Sequence, residues 1–269
     1  RPGRPRERVG HHRSRVHPVP PPAARETGNH RAEDLLGGSL SLRRADDQGR
    51  YAVINGPVQR LAPAADLVRR IDAIRQRGVP NYFGPQRFGR EGGNLERAAH
   101  WLRGGRRPPR RQRTIYLSAV RSYLFNQVLS CRVAAGNWNR LVDGDVAMLD
   151  GSRSTFACSL PDPQLDQRCA GFDLHPTGPL PGRGESGAVG EAAAVEARTL
   201  EAYESTIAAL QRAGVQSSRR SLRVVPAGLS WQLDEISLTL EFSLPSGAYA
   251  TAVLRELVSE DSATISGEV

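Results

Sequence analysis

Apolar residues recur at three- and four-residue intervals in four stretches of the chain and at two-residue intervals in one, and these periods define the elements it can form. Over residues 64–77, Leu67, Ile71 and Ile74 fall on one face and Gly78 is a natural stop, which predicts a helix. Residues 116–133 predict a second, with Leu117, Val120, Leu124 and Val128 in register. A third is expected over 189–213, where Leu200, Tyr203, Ile207 and Leu210 align and Gly214 closes the helix. Over 236–244 the period changes: Ile236, Leu238, Leu240, Phe242 and Leu244 alternate with Ser237, Thr239, Glu241 and Ser243, a strand with one face buried. Pro245, Ser246 and Gly247 then turn the chain into a last helix, 248–258, with Ala250, Leu254 and Leu257 inward. A short strand is expected at 51–54 (YAVI), and no internal repeat is visible. The class is mixed helix and strand.

Composition adds a partner. Hydrophobic residues make up 39% of 269, enough for one large or two small cores. All 37 basic residues are arginine, and the net charge is +9. Arginine binds phosphate through a planar, bidentate fork, so this surplus favours RNA or DNA. It is concentrated: residues 97–140 carry ten arginines and no acid, whereas 226–269 carry one arginine and seven acids. Within the basic stretch, residues 103–113 (RGGRRPPRRQR) are expected to be a loop, because Gly and Pro oppose a helix. Such a loop is either a solvated surface or a phosphate-contacting arm. Residues 1–45 are rich in Pro, Arg and His with little apolar periodicity and are expected to be disordered or aberrant; 259–269 is a tail.

Other chemistry is thin. Cys131, Cys158 and Cys169 match no disulfide or zinc spacing, and free thiols are expected. No apolar run approaches a membrane span, and no histidine pair suggests a metal site. Residues 182–187 (GRGESG) match GxGxxG, but the preceding HPTGPLP (175–181) reads as a loop, so the strand that a dinucleotide site needs is not expected. Ser152, Ser154, Asp173 and His175 do not form a nucleophile elbow, and His175 is expected to be structural. The stretch NYFGPQRFG stands apart. It gathers Asn81, Tyr82, Phe83, Gln86, Arg87 and Phe88 in one irregular segment, where aromatics can stack on splayed bases and Arg and Asn can bind phosphates and base edges. The same composition also suits a hinge packed by its own aromatics.

Residues 78–89 (GVPNYFGPQRFG), with YLSAVRSYLFNQVL (116–129), DGD (143–145), HPTGPLPGRG (175–184), LSW (229–231) and LPSGAYATAVLREL (244–257) in order, resemble the TruD family of tRNA pseudouridine synthases over about residues 50–258. The resemblance implies an α+β fold: a pseudouridine synthase catalytic domain with a mixed, mainly antiparallel sheet, interrupted by an inserted TruD-specific α/β domain. Mapped here, the insert is 78–224, and 46–77 with 225–258 are the remnant of the catalytic domain. It implies isomerisation of uridine 13 of tRNA, by a nucleophilic aspartate acting on an extruded uridine. No cofactor or metal is implied, and the expected setting is a cytoplasmic monomer with tRNA as partner. Substrate contacts are implied for Tyr249, Tyr51, Gly49, Asn81, Tyr82, Phe83, Gln86, Arg87 and Phe88. Arg103, Arg106, Arg107, Arg110, Arg111, Arg113 and Arg121 would grip the RNA backbone.

The departures are specific. The asparagine of the family's N-x-F element falls at Gly49, and Tyr51 stands for its phenylalanine. The family's catalytic aspartate lies in a G-x-K-D motif, and the sequence has no lysine. The chain is therefore expected to be N-terminally incomplete, with residues 1–45 frameshifted or mis-started, and inactive alone. The alternatives are a non-catalytic tRNA-binding protein and a pseudogene product whose 236–244 strand has unpaired edges.

Overall fold

A computed structural model describes residues 51–57, 64–233 and 237–257, with side chains over 66–233 and 238–257. The expectations for residues 1–45, Gly49, the Tyr51 side chain and 259–269 lie outside the described residues.

Two bodies of structure are threaded by one chain, and each has its own apolar core. In the first, β1 (Tyr51–Pro57), β9 (Ser237–Ser243) and β8 (Ala227–Leu233) form an antiparallel sheet in the order β1-β9-β8. Alternation puts Leu238, Leu240 and Phe242 on its inner face. Against them pack Leu67, Ile71 and Ile74 of α1 (Ala64–Arg77) and Val253, Leu254 and Leu257 in and after α7 (Ala250–Arg255). The strand that the pseudogene alternative would leave with bare edges is the central one of this sheet, paired on both sides.

The chain leaves this body at Gly78 and returns at Val224. There β2 (Val79–Pro80) pairs antiparallel with β7 (Arg223–Val224). Gly78 has φ +71, and a Cβ there would lie 2.7 Å from the Val224 carbonyl oxygen, so glycine is required at the crossing.

Between these two strands lies the larger body. Its spine is α3 (Arg110–Ala134), which carries Val120, Tyr123, Leu124, Phe125, Val128 and Leu129 into the core. Around it pack α2 (Gly93–Leu102), α5 (Gly190–Leu200) and α6 (Glu204–Arg212). A four-stranded antiparallel sheet has the order β4-β3-β5-β6, from β3 (Val146–Leu149), β4 (Thr155–Ala157), β5 (Leu174–Leu180) and β6 (Ser218–Ser221). The short α4 (Pro163–Ala170) is capped by the Asp162 side chain and covers a small third cluster around Leu141, Ala147 and Leu174.

Three sequence expectations need correction. Residues 175–181 are mostly β5, not a loop; β5 is buried on both faces, so it has no alternation to read. A strand therefore does precede GRGESG, but it is antiparallel to both neighbours, and the βαβ context of a dinucleotide site is still lacking. The basic segment is not wholly a loop, because Arg110–Arg113 form the first turn of α3, with Pro109 at its N-cap where no backbone N–H is needed. The helix expected over 189–213 is two helices broken at Glu201–Tyr203, a kink that turns Tyr203 inward to share a hydrogen bond with the Tyr123 hydroxyl at 3.2 Å.

Candidate nucleic-acid interface

Residues 81–89 start where β2 ends and are held along their length by one face of α3. Ser122, Asn126 and Ser130 stand at intervals of four, a polar stripe beside the helix's buried apolar face. The Tyr82 hydroxyl lies 3.1 Å from Ser130 Oγ. Asn126 accepts from the Phe83 N–H and donates to the Phe83 carbonyl, both at 3.0 Å, as a neighbouring strand would. Arg87 Nε donates to Ser122 Oγ at 3.2 Å. The loop thus runs antiparallel to the helix and is pinned at three points. Gly84 is extended, and a Cβ on it would come within 2.9 Å of Thr251 Oγ1, which brings the loop against the start of α7.

The second half of the site comes from that helix. Gly247, at φ +91, turns the chain after β9, and Tyr249 caps α7. The half-buried Tyr249 ring meets Phe83 edge-on, with centroids 6.0 Å apart. Phe125 packs edge-on behind Phe83 at 5.5 Å. The guanidinium carbon of Arg220, from β6, lies over the same ring, 4.0 Å from its centroid, and that of Arg87 lies 5.3 Å from it. Arg220 also ties the two halves together, donating to Asn81 Oδ1 at 2.5 Å and to the Gly247 carbonyl at 3.1 Å. Burial pushes its pKa down to about 10; Tyr249 acts against this and Arg87 adds to it, and the guanidinium stays charged at neutral pH.

The two segments singled out in the sequence therefore meet, though not every named residue faces outward. Phe83 and Phe88 are buried in the main core and support the loop from below. Asn81 is buried as well, donating to the Ser221 carbonyl. Gln86 is exposed, and Tyr82, Arg87 and Tyr249 are half-buried. Arg255 stacks over Tyr82 at 5.2 Å.

The arginine set divides in the same way. Arg103, Arg106, Arg107, Arg110 and Arg111 are exposed, from the end of α2 to the first turn of α3. Arg113 is partly buried. Arg121 donates through Nη2 to the Leu180 and Gln216 carbonyls and to Ser218 Oγ at 2.8–2.9 Å, clamping α3 to β5 and β6. Arg220, Asn126 and Arg255 were missed from sequence. The spacing of Ser122, Asn126 and Ser130 was a readable signal for a segment lying along that helix face, whereas Arg220 carries none.

His175 is structural. Its Nε2 lies 2.9 Å from Asp150 Oδ1, and its Nδ1 accepts from Arg223 Nε at 3.1 Å. Ser152 and Ser154 bond each other in a turn. No helix among the described residues is long and apolar enough to cross a membrane.

Comparison with known proteins bears on this arrangement. The family model of tRNA pseudouridine synthase D (TruD) matches residues 94–257. A tRNA pseudouridine synthase D of Nitrosococcus oceani is 48% identical over 193 residues, covering 70% of this chain and 54% of its own length. That of Aeromonas salmonicida is 44% identical over 203 residues, covering 76% of this chain and 58% of its own. The chain thus spans little more than half the length of these relatives. The crystal structure of a Methanosarcina mazei protein assigned as tRNA pseudouridine synthase D (TruD) superposes with a TM-score of 0.58 at 22% identity, over 80% of this chain and 70% of that one, which shows a shared fold.

Proposed function

This chain belongs to the TruD family of tRNA pseudouridine synthases, and from that premise we propose that it binds tRNA on the surface where residues 81–89 meet Tyr249, with uridine 13 as the nucleotide presented there. The observation that carries the reading is the contact of Phe83 with Tyr249, which joins a loop from one body to a turn from the other. Tyr249 is half-buried over that contact and supplies an aromatic edge beside an extruded base. The proposed division of the molecule follows the two cores: 78–224 as the insert, and the sheet with α1 and α7 as part of the catalytic domain, with Tyr51 on its edge strand.

The backbone grip in this reading is the exposed set Arg103, Arg106, Arg107, Arg110 and Arg111. The first turn of α3 contains Arg110, Arg111 and Arg113 and no acid. Cations at the positive end of a helix dipole are unfavourably placed by a few tenths of a kcal/mol each, roughly. An arriving phosphate reverses that sign. Arg111 lies about 16 Å along the helix axis from Ser122, where Arg87 is anchored, a span of a few nucleotides.

The chemistry requires a carboxylate that this sequence does not carry in a G-x-K-D setting, since it has no lysine. The chain alone is therefore proposed to bind without isomerising, as a monomer in the cytoplasm, and its three free thiols suit a reducing compartment. The test uses an unmodified tRNA transcript. Gel shift should show binding that weakens steeply with salt, and no pseudouridine should form. Turnover at an ordinary enzymatic rate would refute the inactivity, and absence of binding at low salt would refute the RNA reading.

A further inference from the structure

Elsewhere among the described residues, buried arginines are matched by acids or enclosed by carbonyls, and the partly buried Arg121 gives its bonds to two carbonyls and Ser218. Arg132 is bidentate to Asp145, and Arg219 meets Glu196. Arg223 is enclosed by the carbonyls of Asn139, Cys169 and Leu174. The pair at Phe83 is different. Arg220 and Arg87 approach one ring, at 4.0 and 5.3 Å, and among the described residues neither forms an ion pair. Arg220 uses Nε and Nη2 on Asn81 and Gly247. Arg87 uses Nε on Ser122. Among the described residues, Nη1 of Arg220 and both terminal nitrogens of Arg87 donate to nothing.

Two like charges against one ring, with donors to spare and no carboxylate paired with either among the described residues, suit an anion. Resting on the tRNA reading above, we propose that Arg87 and Arg220 form a subsite for one backbone phosphodiester of the RNA, next to the nucleotide that lies against Tyr249. A phosphodiester suits the pair: one charge, two non-bridging oxygens, and a geometry that guanidinium forks meet bidentately. Arg220 is held in place by Asn81, Gly247 and the Phe83 ring, so little side-chain freedom remains to be lost on binding. Burial, the largest cause, depresses its pKa and Arg87 adds to that, against Tyr249, so the cation is held there at a cost. An incoming phosphate would relieve that cost.

The experiment measures binding of the full chain to a tRNA transcript across a salt series, for wild type, Arg87→Gln and Arg220→Lys. Each variant is first melted to establish that it folds. Arg87→Gln is the primary variant, since that side chain is only half-buried; Arg220→Lys keeps the charge and removes the fork. The expected result is an affinity loss of about tenfold or more in each, and for Arg87→Gln a salt slope smaller by about one. A second measurement substitutes single methylphosphonates, which carry no charge, at linkages around the target uridine. At one linkage the substitution should weaken wild type but leave Arg87→Gln nearly unaffected. Wild-type affinity and slope in both variants, or an equal methylphosphonate penalty in wild type and Arg87→Gln, would overturn the subsite while leaving tRNA binding intact. No RNA binding by wild type would overturn both.

Discussion

His175 holds one proton, and its neighbours determine where. Arg223 Nε donates to Nδ1 at 3.1 Å, so Nδ1 is bare and Nε2–H donates to Asp150. Burial lowers the His175 pKa below its ordinary 6.5; Asp150 works against this, and Arg223 works with burial. The unfolded chain therefore takes up a proton more readily than the folded one. The stability that depends on neutral His175 is complete above about pH 6.5 and is lost as pH falls towards the folded value. Between about pH 7.5 and about pH 5.5 the thermal midpoint should drop in wild type and drop less in His175→Gln; equal drops would remove His175 as the cause. That His175 is structural was readable, because no nucleophile elbow surrounds it. Arg220 was not readable. It is one of 37 identical cations, and its place depends on Asn81, which is 139 positions away.

Elements that bury one face announced themselves, and those that bury both did not. The central strand β9 and helix α1 have clean periods because one side of each lies against the core. Strand β5 is covered on both sides and shows no alternation. Its Gly178 sits where a Cβ would come within 2.9 Å of Leu222 and 3.1 Å of Phe125, so the glycine that reads as a loop signal is a packing requirement. For α3, the apolar pattern located the helix, but the polar stripe within it is what positions the candidate site. Asn126→Ala would leave the Phe83 N–H and carbonyl without their partner and should cost about 1–3 kcal/mol, read by denaturant unfolding. Because the same change removes the central of the three pins that hold residues 81–89 to the helix, tRNA affinity should also fall in the folded variant. Unchanged affinity at reduced stability would confine Asn126 to a scaffold role.

At the scale of the whole molecule, two cores share one chain, and the β2–β7 pair is where the chain passes between them. The contacts joining loop 81–89 to the Tyr249 turn cross between the same two bodies, so a surface built there depends on both being folded. Charge is distributed on a different plan. The ten arginines of 97–140 looked like a single basic stretch, yet Arg121 and Arg132 are spent on carbonyls and on Asp145 and Arg113 is partly buried, leaving Arg97 and Arg140 exposed at the ends and a run of five exposed from Arg103 to Arg111. The proposed grip is therefore separable from the scaffold. Replacing Arg106, Arg107, Arg110 and Arg111 together by Gln should leave the melting temperature nearly unchanged, since exposed cations contribute little to stability. The slope of log affinity against log salt for tRNA should fall by roughly 3, from counterion release of somewhat less than one ion per phosphate contact. Arg121→Gln should do the reverse, lowering the melting temperature by loss of its bonds to Leu180, Gln216 and Ser218 while the slope stays near that of wild type. If the quadruple variant kept the wild-type slope, the RNA backbone would have to be held elsewhere on the surface.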